Sequence, residues 1–106
     1  MIPSASDVQL RVGEMTRSER RVYDTCAALV FVGDFPSPTR LNLRLHGHRS
    51  RTLNGRETRV RSAFLELAGY HHVWIGRGFS ARWYRPGGPN PHPWMEGDWQ
   101  PKEEIQ

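Results

Sequence analysis

Arginine is the side chain whose placement in this sequence can do chemistry. Arg56, Thr58, Arg59 and Ser62 fall on one side of a segment with helical periodicity, and Arg61 lies towards its flank. A guanidinium can donate two hydrogen bonds to O6 and N7 of guanine, worth ~1–3 kcal/mol of discrimination between bases. Other arginines bind phosphate oxygens with little sequence preference and a strong salt dependence. A short helix that is apolar on one side and carries Arg, Thr and Ser near its N-terminus on the other can lie in the DNA major groove. Lys102 is the single lysine among 15 basic residues. That bias suits bidentate contact to phosphate and guanine, and GC-rich codon usage produces the same bias.

The other reactive residue types do not assemble into a signature. His46-Gly47-His48 and His71-His72 are two pairs, and Cys26 is the one cysteine. Their spacings match no Cys-x2-Cys, His-x3-His or His-Glu-x-x-His pattern, so no metal is expected. His71 and His72 in one strand would point to opposite faces. The sequence has no glycine-rich phosphate loop ending in Gly-Lys-Ser/Thr, and no Ser/His/Asp pattern. Carboxylates are too scarce among the arginines for a two-metal nuclease. The expectation is a protein that is not an enzyme and holds no cofactor.

Charge is segregated along the chain. Residues 1–39 carry four Arg against five acids, and residues 40–85 carry ten Arg against Glu57 and Glu66, a net of +8. Residues 86–106 set Lys102 against Glu96, Asp98, Glu103 and Glu104, a net of −3. A basic block with acidic flanks is the footprint expected of a nucleic-acid surface. At 106 residues with 37% hydrophobic content, the chain suits one domain with a modest core. A lone cysteine fits a reducing compartment. No stretch reaches the ~18 apolar residues of a membrane span, and the N-terminus lacks a signal-peptide pattern. The expected location is the cytoplasm, associated with the nucleoid.

These residues need elements to hold them. In residues 1–15, Val8, Leu10 and Val12 alternate with Gln9 and Arg11, which allows a short strand or a helical turn. Thr16-Arg17-Ser18-Glu19 is a capping box that starts a helix reaching about Val32, with Gly33 as its stop. Val22, Cys26, Leu29 and Val30 form its apolar stripe, with Arg17, Arg20, Arg21 and Asp24 towards solvent. Phe31 and Val32 make its end apolar on more than one side, as expected of a helix central to the packing. Ser37-Pro38 reads as an N-cap followed by proline at the first helical position. The helix it starts runs to about His46, with Leu41 and Leu45 one turn apart, Arg40 and Arg44 on another side, and Gly47 at its end. His48 to Leu53 form a basic connector with Arg49 and Arg51, longer than the tightest helix-turn-helix turn.

Asn54 and Glu57 then form a second capping box, and Gly69 closes that helix. Val60, Ala63, Phe64, Leu67 and Ala68 are its buried stripe. His71 to Ile75 and Ser80 to Arg85 read as strands around Gly76-Arg77-Gly78-Phe79, a glycine-rich turn from which Arg77 projects. From Pro86 the chain turns rich in proline and glycine and lacks the pattern of a packed element. Trp94 and Trp99 are unusual in such a segment and offer a clip onto the domain or onto a protein partner.

The order of capped helix, Pro-started helix, basic connector, arginine helix and hairpin resembles the winged helix-turn-helix family of DNA-binding domains. The resemblance spans residues 16–86, flanked by the N-terminal segment 1–15 and an acidic Pro/Gly-rich tail over 87–106. It implies an α+β fold, mainly α, in which a three-helix helix-turn-helix core carries a C-terminal β-hairpin wing. In that family the third helix enters the major groove of double-stranded DNA. On this sequence it implies that Arg56, Thr58, Arg59 and Ser62 face bases or phosphates. It likewise implies backbone contacts from Arg40, Arg49 and Arg51, with Arg77 at the wing tip. The functional expectation is sequence-specific duplex binding by a small transcriptional regulator of a bacterium or its phage. The alternative is a protein-interaction module on the same scaffold. The oligomeric state is left open.

Overall fold

The computed structural model describes residues 14–48, 52–73 and 82–95. Among them are three helices and one antiparallel strand pair, so the α+β, mainly helical class read from the sequence holds. Helix α1 spans Arg17–Phe31. Its N-cap Thr16 accepts the Glu19 N–H through Oγ1, and the Glu19 carboxylate accepts the Thr16 N–H at 3.0 Å. This reciprocal pair satisfies two donors that a helix start otherwise leaves orphaned. Val22, Cys26 and Leu29 are buried along one side, and Val30 is half-buried.

Helix α2 spans Pro38–His46. Ser37 Oγ accepts the Arg40 N–H, and Pro38 occupies a first-turn position where its missing N–H costs nothing. Leu41 and Leu45 point inward. Gly47 ends the helix at φ 74°, a left-handed conformation that a Cβ would strain. Helix α3 spans Gly55–Leu67, and Asn54 and Glu57 exchange two hydrogen bonds of 2.8 and 2.9 Å across its start. Gly69, at φ 93°, reverses the chain so that the Tyr70 N–H reaches the Leu65 carbonyl.

One core joins the three helices. Val22, Cys26 and Leu29 meet Leu41 and Leu45 from α2 and Val60, Phe64 and Leu65 from α3, with Phe35, Tyr70 and Trp83 added from outside the helices. Those last three explain a departure on α3. Leu65 is fully buried, whereas Leu67 and Ala68 of the expected stripe are half-buried. A helix covered by more than one neighbour buries a wider arc than a single stripe allows.

Strands β1 (His71–His72) and β2 (Trp83–Tyr84) pair antiparallel, His71 opposite Tyr84 and His72 opposite Trp83. Successive strand residues face opposite ways, yet Trp83 and Tyr84 are both buried. Trp83 enters the main core, while Tyr84 joins Val73 and Met95 in a second, smaller cluster. Met95 comes from a 3-10 turn over Pro93–Met95. The expectation of an unpacked segment after Pro86 is therefore corrected: residues 86–95 fold back over the strand pair. The Arg85 N–H donates to Asn90 Oδ1 at 2.8 Å, Asn90 Nδ2 donates to the Arg85 carbonyl at 2.9 Å, and the Tyr70 hydroxyl donates to the Pro89 carbonyl. Proline and glycine content signalled a loop, and the buried Asn90 and Met95 are what hold that loop down.

A second correction concerns the end of α1. Phe31 is 91% and Val32 61% exposed. The helix is central, but through Val22, Cys26 and Leu29 rather than through its apolar end.

Candidate nucleic-acid interface

Helix α3 presents Thr58 and Arg59 to solvent and Ser62 half-exposed, with Gly55 and Glu66 on the same strip. The spacing i, i+3, i+4 places Arg59, Ser62 and Glu66 in line along the axis. Arg56, in the first turn, is also exposed. Three anchors fix the helix beneath this strip. Asn54 and Glu57 cap it, and Val60, Ala63, Phe64 and Leu65 seat it in the core. The third anchor is His46 Nε2, 2.7 Å from the Glu57 carboxylate, which ties the end of α2 to the start of α3. Arg21 of α1 donates to the Leu45 carbonyl at 3.1 Å and holds the same corner from the other side.

The arginines of the basic block divide into two groups. Arg61 lies half-buried: its Nε donates to the Pro36 carbonyl at 2.6 Å and its guanidinium sits over the Phe35 ring at 5.5 Å. Burial lowers its pKa from the ordinary arginine value. Arg61 thus braces α3 against the α1–α2 connector, rather than flanking the polar strip. Arg85 is a second brace. It donates to the Ala68 carbonyl at 3.0 Å and to the Gly88 carbonyl, and it lies over the Tyr70 ring at 4.9 Å. These two charges from the basic block are committed to the fold.

Arg40 is exposed and pairs with Asp34 at 3.6 Å, a contact of small energetic weight at the surface. Arg44, Arg56, Arg59 and Arg82 are exposed, and their side chains make no hydrogen bond or ion pair among the described residues. Arg49, Arg51 and Arg77, expected at the connector and the turn tip, lie outside the described residues, as does Trp99.

The structure also brings in arginines that the charge distribution had hidden. Arg17, Arg20 and Arg21 of α1 line an open groove of about 710 Å³ together with Arg44 of α2. Arg21 also lines a neighbouring groove of about 300 Å³ with Arg56, His46 and Asn54. Summed along the chain, the α1 arginines are cancelled by nearby acids. In space they stand beside the basic block.

The histidines and the cysteine have other surroundings. His46 faces Glu57, His71 and His72 are exposed on β1, and the His72 ring lies 3.9 Å from that of Trp83. Among the described residues, no three His, Cys, Asp or Glu side chains converge as a metal site. Burial pushes the Cys26 thiol up to about 12, with the nearby Arg61 charge opposing the shift. No described helix is long and apolar enough to cross a membrane. No protein-family model, curated protein or solved structure matches the chain.

Proposed function

We propose that the protein binds double-stranded DNA, reading sequence with the exposed strip of α3 in the manner of a winged helix-turn-helix domain. The observation that carries this reading is the rigid seating of α3 beneath an unpartnered Arg59, with Thr58 and Ser62 beside it. A reader must be held in register by its own scaffold, because base-edge contacts tolerate little misplacement. The two capping contacts and the His46–Glu57 bond supply that register. Arg56 and Arg44 add charge for phosphates, and Arg40, Arg49, Arg51 and Arg77 extend the set in sequence. A small regulator, cytoplasmic and associated with the nucleoid, is the role that suits one domain of this size.

Anisotropy titration of a labelled mixed-sequence duplex tests the proposal. Binding at low salt that weakens steeply towards physiological salt is the expected result. An absence of binding to any duplex at low salt removes it.

A second reading has its own observation. Phe31 at 91% and Trp94 at 46% exposure are large apolar side chains facing solvent, and such groups suit a protein-interaction module. This reading takes the lead if duplex binding is absent.

A further inference from the structure

The groove between α1 and α2 is lined by Arg17, Arg20, Arg21 and Arg44, and Arg21 also lines the neighbouring groove that Arg56 borders. The acids that border these grooves are already engaged. Asp24 pairs with Arg20 at 3.7 Å, Glu19 caps Thr16, and Glu57 caps Asn54 while facing His46. The side chains of Arg17, Arg44 and Arg56 make no hydrogen bond or ion pair among the described residues. Their positions also run against local stability. Arg17 is the first residue of α1 and Arg56 the second of α3, where the positive end of the helix dipole repels a cation and attracts an anion. Charge set there costs the helix and gains only when an anion arrives.

We propose that the two grooves form one phosphate-binding track, running from Arg44 across the first half of α1 to Arg56. It holds the sugar-phosphate backbone of the same duplex that α3 reads. This rests on the DNA-binding proposal and adds three residues to its phosphate contacts, Arg17, Arg20 and Arg21, beside Arg44 and Arg56. Arg21 is a bridging member, because its Nη2 is held on the Leu45 carbonyl while the side chain borders both grooves. The track reads no bases. It lengthens the footprint beyond a single helix and sets the angle at which α3 meets the groove.

The test compares the parent protein with Arg17→Ala/Arg44→Ala, Arg17→Lys/Arg44→Lys and Arg59→Ala, each titrated on one labelled duplex across a salt series. Thermal melts confirm the fold of each. Two lost phosphate contacts lower the slope of log affinity against log salt by about two units, with the sequence preference unchanged. The double lysine variant, which keeps both charges, retains the slope. Arg59→Ala alters preference instead. If the parent binds and the double alanine variant keeps a slope within about half a unit of it, the track is overturned and the reading helix stands. A double alanine variant with an altered sequence preference also overturns it, because the arginines would then act on bases. If the parent binds no duplex, the DNA-binding proposal fails and the track falls with it.

Discussion

His46 Nε2 lies 2.7 Å from Glu57 Oε2, while Glu57 Oε1 accepts the Asn54 N–H at 2.9 Å. One buried carboxylate therefore caps α3 and fastens it to the last residue of α2. Removing it leaves the Asn54 N–H and the half-buried imidazole without that acceptor.

Glu57→Ala is expected to cost about 1–3 kcal/mol, from a lost cap together with a stranded polar partner. Glu57→Gln keeps the capping geometry, because glutamine serves in a capping box, and is expected to recover most of that loss. Urea unfolding of the two variants checks the order. Equal stabilities for Ala and Gln would show that the carboxylate position contributes nothing.

Phe64 sits in the middle of the core, edge-on to Tyr23 with ring centroids 5.2 Å apart. Truncation empties a volume that α1 and α3 share, and a domain of this size has few other side chains to close it. Phe64→Ala is expected to lose about 3–5 kcal/mol. A thermal melt within a degree or two of the parent would contradict that placement.

The helix starts were legible in the sequence because each is marked by a local hydrogen bond. Thr16 with Glu19, Ser37 before Pro38, and Asn54 with Glu57 all close as their spacing predicts. The long-range uses of polar side chains were not legible. Nothing in the neighbourhood of Arg61 or Arg85 says that one will reach the Pro36 carbonyl and the other the Ala68 carbonyl. Both were counted as free charge. The segment after Pro86 misled for a related reason: composition reports backbone propensity, whereas its burial depends on Met95 meeting Tyr84 and Val73. The candidate strip on α3 was legible through helical period alone, and the Arg17, Arg20, Arg21 and Arg44 groove was not, since it exists only once α1 and α2 are side by side.

Cys26 is fully buried, and burial raises its pKa from 9.0 to about 12. Above pH 9 the unfolded chain loses the thiol proton while the native protein keeps it. The unfolded state then binds fewer protons, so stability falls as pH rises, by about 1.4 kcal/mol per unit until the native thiol ionises. Below that window the group contributes no slope. Urea unfolding at pH 8 and pH 10 is expected to show the parent losing about 1.4 kcal/mol more than Cys26→Ala. The native thiol should also resist alkylation at pH 8 and react fully in urea. Rapid native labelling would place Cys26 at an accessible site.

Met95 is fully buried against Tyr84 and Val73 and is the side chain through which residues 86–95 grip the strand pair. Met95→Ala is expected to cost about 2–5 kcal/mol. It should also raise amide exchange at Val73, whose N–H donates to the Arg82 carbonyl across the pair at 2.7 Å. Unchanged exchange and unchanged stability would mean that the segment lies on the domain without supporting it.

Arg59 and Arg77 separate reading from positioning. Arg59 is exposed on α3 one turn before Ser62, near enough to the helix start to reach a base edge. Arg77 lies between Gly76 and Gly78 in the sequence, and glycine on both sides would leave its backbone free to follow the DNA. If α3 reads bases, Arg59→Ala relaxes the preference in a selected-sequence assay and weakens binding to the preferred site more than to others. If Arg77 contacts phosphate, Arg77→Ala weakens all sequences about equally and lowers the salt slope by about one unit. An Arg77 that enters the minor groove would instead change the preference for A·T-rich flanks, where that groove is narrow and strongly negative. The decisive pattern is the contrast between the two variants on one set of duplexes. Arg59→Ala with parental affinity and preference, beside an Arg77→Ala variant that no longer binds, would take the reading role away from α3 and give it to Arg77.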